Sequence, residues 1–327
     1  MITAQYVLKH HQVRKNKEQK KAFREYAREY AEDLGYSVRE EKGSLGARNL
    51  IVGDPNSACV VYTAHYDTCP RLPFPNFITP KCFALYLLYQ LLLVVGILLI
   101  MGVAGFVLGV GVGLLNAFVE LPQSVLSMVP SLIGLVCYVG VFWLLLAGPA
   151  NRHTANDNTS GVVTLLEIMR LLPKERQSEA AFVFFDLEEA GLLGSAGFAA
   201  KHPRVKKNTL LLNFDCVSDG DRILLALRKG AASERERLER CFAPAEGLSV
   251  QVLTKGAFYP SDQMCFHRGV GVAALKYSKL LRTEYMDRIH TDRDVIFQEK
   301  NIEMLAKGAV RLICGEDWQT EETLEKE

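Results

Sequence analysis

Five polar turns in this 327-residue chain carry the side chains best suited to chemistry. "YTAHYDT" holds His65 and Asp67, "NDNTSG" holds Asp157, and "DLEEAGLLGS" holds Glu188 and Glu189. "NFD" ends in Asp215 and "RIHTDRD" contains His290. Taken singly, each is an ordinary capping or surface residue. Brought together, the carboxylates would repel one another unless protonated or held by a cation. Carboxylate and imidazole donors without cysteine suit a catalytic Zn²⁺ site, other divalent metals also being compatible. The adjacent pair Glu188–Glu189 suggests a division of labour. One carboxylate binds an ion, and the other takes a proton from an attacking water whose pKa the metal lowers towards about 7.

The elements that must position these groups are legible around them. His65, the Glu188–Glu189 pair and Asp215 follow the apolar runs "CVVYTA", "AFVFFDL" and "TLLLNF". Ligands in open α/β sheets bind outside the carboxyl ends of strands, so these side chains should converge. Further strands are expected at "NLIV", "RILLALR", "LSVQVL" and "VGVAALKYS". Helices are expected over Glu18–Leu34, "SGVVTLLEIMRLLP", "GLLGSAGFAAKH", "SERERLERCFA" and "QEKNIEMLAKGAVRLIC". This alternation predicts an α/β domain with a mostly parallel central sheet and helices on both faces. In the first helix Phe23, Tyr26, Ala27, Tyr30, Ala31 and Leu34 form an apolar stripe that ends at Gly35. Its other face is densely charged and reads as a solvated surface, with contact to anionic lipid as the second reading.

Between His65 and Asp157 the composition changes abruptly. Cys82 to Val119 contains no Asp, Glu, Lys, Arg or His, and a second apolar run extends from Val125 to Ala150. A membrane span needs about 20 apolar residues. If the flanking segments build one domain, the chain must return to the side it left, so two spans are expected. This divides the protein into a discontinuous catalytic domain, 1–81 and 151–327, and an inserted transmembrane hairpin, 82–150. Arg71, Lys81 and Arg152 flank the hairpin and its loop holds Glu120, which by the positive-inside bias predicts a cytoplasmic catalytic domain. Gly105, Gly109 and Gly113 have the spacing that lets membrane helices approach closely, and so allow a homodimer through the hairpin. The balance of 38 basic and 37 acidic residues gives no reason to expect a nucleic-acid partner. The eight cysteines lack CxxC pairs and read as reduced thiols.

The ordered motifs "HYD", "NDNTSG", "DLEEAGLLGS", "NFD" and "RIHTDRD" resemble those of the zinc-dependent aminopeptidases and glutamate carboxypeptidases, metallopeptidase family twenty-eight. The resemblance implies a zinc aminopeptidase-like fold and a site for two Zn²⁺ ions. In it Asp157 would bridge both ions, His65 and Asp215 would complete one, and Glu189 and His290 the other. Glu188 would be the general base and Asp67 would orient His65. The chain departs from the family at "YPSDQMCF", where Gln263 stands in place of a histidine, which puts the substrate pocket rather than metal binding in question. His153, Cys69 and Cys216 lie near ligand motifs and are expected to be structural, and His10, His11, His202 and His267 to be surface or core residues. The leading functional expectation is a membrane-anchored aminopeptidase acting on peptides. A second is an amidohydrolase of N-acyl amino acids or lipopeptides reaching the site from the lipid bilayer. Arg282 and Arg288 would suit recognition of a substrate carboxylate. A non-catalytic, receptor-like scaffold would be expected to lose ligands, and none is missing here.

Overall fold

The computed structural model describes residues 1–319. The chain divides into two compact units, one formed by Met1–Cys82 with Ala150 onward, the other by Phe83–Pro149.

In the first unit, helices α1 (Ile2–His10) and α2 (Lys17–Asp33) precede strands β1 (Val38–Lys42), β2 (Arg48–Val52) and β3 (Val60–His65). Helices α3 (Phe83–Val119) and α4 (Gln123–Ala147) belong to the second unit. The first unit resumes with α5 (Gly161–Leu171), β4 (Ala180–Phe185), α6 (Leu193–Lys201), α7 (Pro203–Asn208) and β5 (Leu210–Phe214). Next come β6 (Arg222–Leu227), α8 (Arg235–Cys241), β7 (Ser249–Leu253), β8 (Gly269–Ser278), β9 (Thr283–Tyr285) and α9 (Glu299–Cys314).

Among the described residues the strands form one sheet in the order β1-β2-β4-β3-β5-β8-β6-β7, with β9 on β8. The parallel pairings expected from the sequence occupy its middle, β4–β3–β5–β8, and recur in β6–β7. The pairs β1–β2, β2–β4, β8–β6 and β8–β9 are antiparallel. Hydrophobic patterning reports burial but not strand direction, and a short turn such as that joining β1 to β2 can return the chain only antiparallel.

Strands buried on both faces explain the near-continuous apolar runs. Leu50, Tyr62, Phe182, Phe184 and Leu212 face the layer containing α1, α2, α5 and α9. Ile51, Val61, Val183, Phe185 and Leu211 face α6 and α7. Helix α2 starts at a capping box, in which Asn16 accepts from the Gln19 backbone and the Gln19 side chain accepts from the Asn16 backbone. Phe23, Ala27 and Ala31 on its stripe are fully buried. Its charged face is not wholly solvated: Lys20 and Arg24 are buried too. Lys20 pairs with Asp186 at 2.6 Å and Arg24 donates to the Tyr66 hydroxyl at 2.9 Å.

Register brings the candidate site residues to one edge. Thr63 lies opposite Asn213, so His65 and Asp215, each two positions further on, reach the same level, and His65 lies opposite Phe185.

The second unit consists of α3 (Phe83–Val119) and α4 (Gln123–Ala147). Both are long and apolar enough to cross a membrane, and neither buries a residue in the protein. At about 1.5 Å per residue, the 37 residues of α3 exceed the roughly 30 Å of a hydrocarbon core. A Cβ on Gly105 would meet Ile133 of α4 at 3.7 Å, whereas Gly109 and Gly113 have nothing within 4 Å.

Candidate active site

The site is assembled from strand ends and two loops. His65 ends β3 and Asp67 lies two residues beyond it. Arg14 fixes this turn. Its backbone N–H donates to Thr68 Oγ1 at 2.9 Å, and its fully buried guanidinium donates to the Tyr66 carbonyl and to Thr159 Oγ1. Burial lowers the Arg14 pKa to about 10, against the attraction of Asp67 and Asp157.

Asp157 lies in the buried segment Ala155–Ser160 ahead of α5, and the Asp157–Asn158 peptide is cis. Asp294 holds this segment, its two carboxylate oxygens accepting from the backbone N–H of Asn156 at 2.7 Å and of Asp157 at 2.9 Å. Asn158 ties the segment to the sheet. Its amide donates to the Phe214 carbonyl at 3.0 Å, and its oxygen accepts from the N–H of Gly161 at 3.0 Å and of Cys216 at 3.3 Å. Gly161 cannot carry a side chain here, since a Cβ would lie 2.2 Å from the Phe214 carbonyl oxygen.

Glu188 and Glu189 follow β4. Their backbone N–H groups donate to Asp67, at 3.0 Å to Oδ1 and 3.2 Å to Oδ2. Asp67 therefore positions the pair as well as facing His65, whose Nδ1 lies 3.6 Å from Asp67 Oδ1. Asp215 follows β5, and the Tyr259 hydroxyl donates to its carbonyl at 3.0 Å. His290 sits in the 286–294 loop with φ +64°.

These groups meet around the Asp157 carboxylate. Its Oδ1 is 3.3 Å from His65 Nε2, which is 3.4 Å from Asp215 Oδ1. Its Oδ2 is 3.1 Å from His290 Nε2, which is 3.4 Å from Glu189 Oε2. Donors placed tetrahedrally at the roughly 2.0–2.1 Å of zinc bonds lie about 3.3 Å apart, so both sets have the spacing of a metal site. Glu188 offers a further carboxylate beside His65 and Glu189. The surrounding cavity, about 80 Å³, is also lined by Asn76, Ile78, Tyr259, Pro260 and Ile289.

The electrostatics give the same answer. Burial, with the charges of Glu189, Asp262 and Asp215 adding to it, pushes Glu188 well above the usual carboxylate range. Burial, with help from Asp157 and Asp67, lifts Glu189 to about 8. For His290 burial works downward, but Glu189 and Asp157 prevail and raise it to about 9. Burial works upward on Asp157, yet its bonds to His290 and His65 hold it below the carboxylate range. A buried cluster with this surplus of carboxylates calls for cationic compensation.

All seven residues expected from the sequence thus stand in one cluster. Cys69 lies within reach of the Asp157, Glu189 and His290 ligand atoms, and burial raises its pKa well above normal. His153 is exposed and outside the cluster. His202 packs on Phe198 and pairs with Glu41 at 2.9 Å. Gln263 is structural: its amide donates to the Tyr259 carbonyl at 2.6 Å and its oxygen accepts from Asn213. Arg288 is engaged with Asp219 at 2.9 Å, which removes it from the candidates for carboxylate recognition. Sequence reasoning missed Arg14, Asn158, Tyr259, Asp262 and Asp294. The last was visible as the final residue of "RIHTDRD", without a sign of what it binds.

A buried carboxylate–imidazole cluster thus stands at the carboxyl edge of an α/β sheet, with groups that could hold a metal ion. The sequence profile of peptidase family M28 matches residues 140–311. The chain belongs to that family, and it is a hydrolytic enzyme. No curated protein sequence matches it. Similar solved structures include a leucine aminopeptidase precursor from Bacteroides thetaiotaomicron, at 13% identity and TM-score 0.56, covering 97% of this chain and 96% of that one. The LapA aminopeptidase of Legionella pneumophila is similar at 12% identity and TM-score 0.54, covering 98% and 71%. So is a glutaminyl cyclase from Bacteroides thetaiotaomicron, at 14% identity and TM-score 0.55, covering 97% and 96%. At these identities the likeness is one of fold.

Proposed function

We propose that the protein is a membrane-anchored zinc aminopeptidase that binds two ions and releases N-terminal residues from peptides, its catalytic unit on the cytoplasmic face. The observation that carries this reading is the two-sided Asp157 carboxylate, one oxygen beside His65 and Asp215 and the other beside His290 and Glu189. Those five residues would hold the ions. When bound, the ions supply Lewis-acid polarisation of the scissile carbonyl and acidify the attacking water.

The chain's own residues do the rest. Burial makes Glu188 a stronger base than an exposed glutamate. Its carboxylate accepts a proton from water as the C–O bond forms, then returns it to the amide nitrogen as the C–N bond breaks. Asp67 faces the Nδ1 side of His65, which leaves Nε2 to act as the ligand atom, and its grip on two backbone N–H groups sets where Glu188 and Glu189 begin. In the membrane reading α3 and α4 are the spans, supported by their length, their apolarity and the absence of buried residues. Self-pairing of the hairpin into a homodimer belongs to the same proposal.

A second reading has the same chemistry acting on N-acyl amino acids or lipopeptides drawn from the bilayer. It is favoured by the chain path. Ile78 lines the catalytic cavity and lies shortly before Cys82, and Ala150 is bridged to Pro70, close to Asp67.

The test is a substrate panel on detergent-purified, zinc-loaded protein: free-amine peptides, N-blocked peptides and N-acyl amino acids, with Glu188→Gln as the comparison. Hydrolysis of free-amine peptides alone supports the first reading, and of N-acyl substrates the second. Glu188→Gln with zinc bound and full activity would exclude Glu188 as the base. Protein that binds no divalent ion would exclude the mechanism. Extraction of the chain from membranes by alkaline carbonate, or digestion of the catalytic unit from outside intact cells, would overturn the anchoring or the orientation.

A further inference from the structure

Besides the catalytic cavity, the first unit contains a larger one, about 670 Å³, within the range of small-molecule sites. Lys15 and, from α2, Lys17, Lys20, Lys21 and Arg24 line one side. The turn between β1 and β2 lines the other, with Lys42, Gly43, Leu45, Gly46, Ala47 and Arg48. Asp186 is the one acid in the wall.

The charges around this cavity do not balance. Lys20 is paired with Asp186 at 2.6 Å. Arg24 and Arg48 share Glu40 at 3.4 and 3.6 Å, and Lys21 reaches Glu25 at 3.4 Å. Lys17 and Lys42 have no ion-pair partner among the described residues. With Lys15 left out of the count, the six lining cations are set against Asp186 in the wall and Glu40 and Glu25 outside it, an excess of three positive charges in a chain whose total is +1. Lys20 and Arg24 are buried and already paired, so the surplus is presented by the exposed side chains Lys17, Lys21, Lys42 and Arg48 around them.

We propose that this cavity binds a compact phosphate-class polyanion. A single carboxylate would leave most of the excess uncompensated. One phosphate monoester carries roughly −1.5 to −2 at neutral pH, so a diphosphate or a bisphosphorylated headgroup matches the surplus. Arginine and lysine together supply the forked and point-charge donors that phosphate oxygens accept. The ligand rests against Leu187, the residue immediately before Glu188, so the site borders the segment that carries the catalytic base. A lipid headgroup and a soluble phosphate compound share this chemistry, and the experiment separates them.

The experiment is calorimetric titration of the full, zinc-loaded chain with sodium pyrophosphate, in nanodiscs of neutral phosphatidylcholine and in nanodiscs also containing phosphatidylinositol bisphosphate. The variant Lys17→Glu/Lys42→Glu is compared with Lys174→Glu/Lys255→Glu, an equal charge change at exposed positions outside the cavity. The expected result is saturable binding that weakens at least tenfold in the first variant and less than twofold in the second, and that falls as salt is raised. Competition from the bisphosphate lipid assigns the site to a headgroup, and undiminished binding assigns it to a soluble ligand. Arg48→Gln, with a lesser loss, serves if the double variant fails to fold. Absence of saturable binding, equal weakening in both double variants, or full binding in Lys17→Glu/Lys42→Glu, which would place the anion at the metal centre, overturns the proposal.

Discussion

Asp294→Ala tests whether the metal site is held from behind rather than by its ligands alone. Asp294 is not among the proposed ligands. Its two oxygens take the N–H groups of Asn156 and Asp157 at 2.7 and 2.9 Å, in a segment buried throughout. Hydrogen bonds to a charged acceptor contribute about 1.5–3 kcal/mol each, so removing both costs roughly 3–6 kcal/mol. Part of this is returned, because Asp294 is itself held unfavourably: burial and the Asp157 charge lift it to about 7. That lift, from 3.8, is worth about 4 kcal/mol, so a net loss of up to about 2 kcal/mol remains, a fall of up to about 8 °C in melting temperature for a unit of this size. Zinc affinity should fall as well, by about 10–100-fold, as for other residues that orient ligands. Asp294→Asn keeps one acceptor and should show the smaller loss of each. The assay is thermal melting of the metal-free protein together with zinc competition against a chromophoric chelator. Wild-type melting and zinc affinity within twofold in Asp294→Ala would refute the reasoning, because the 155–160 segment would then be fixed by something other than this carboxylate.

Further predictions follow from the same geometry. Glu188→Gln should retain zinc and lose about 10²–10⁴-fold in kcat, measured by metal analysis and steady-state hydrolysis. Metal-free protein should become less stable as pH rises. Glu189 is lifted from 4.5 to about 8 and His290 from 6.5 to about 9, so the stability each contributes is fully present below its unfolded value and is lost as pH passes its folded one. Zinc requires both deprotonated, so the gap in melting temperature between zinc-loaded and metal-free protein should widen from pH 6 to pH 9, and a narrowing gap would count against these assignments. Gly161→Ala should destabilise by about 1–3 kcal/mol and weaken zinc binding, since the new Cβ meets the Phe214 carbonyl at 2.2 Å and the Asn158 amide oxygen at 2.4 Å. Metal stoichiometry and melting together check it.

What was legible in the sequence divides along a physical line. His65, Glu188, Glu189 and Asp215 could be read because each is a reactive side chain directly after an apolar run, and the sheet register does the rest. Strand β1 could not, because "VREEK" is a polar strand that pairs only with β2, on the sheet's flank. Lys20 and Arg24 read as solvated, since patterning equates charge with exposure. Both are buried through Asp186, Glu40 and Tyr66, which lie far away in the chain or, for Glu40, in a different element. The roles of Arg14 and Asp294 are hidden for the same reason, with partners at positions 66, 68 and 159 for one and 156 and 157 for the other. Ligands declare themselves locally through their chemistry, whereas the groups that hold them declare themselves only through contacts. A chain could therefore keep all five proposed ligands and the base in perfect order and still lose the site, if Asp294 or Arg14 were gone. Motif integrity alone is a weaker test of catalytic competence than motif integrity together with these two residues.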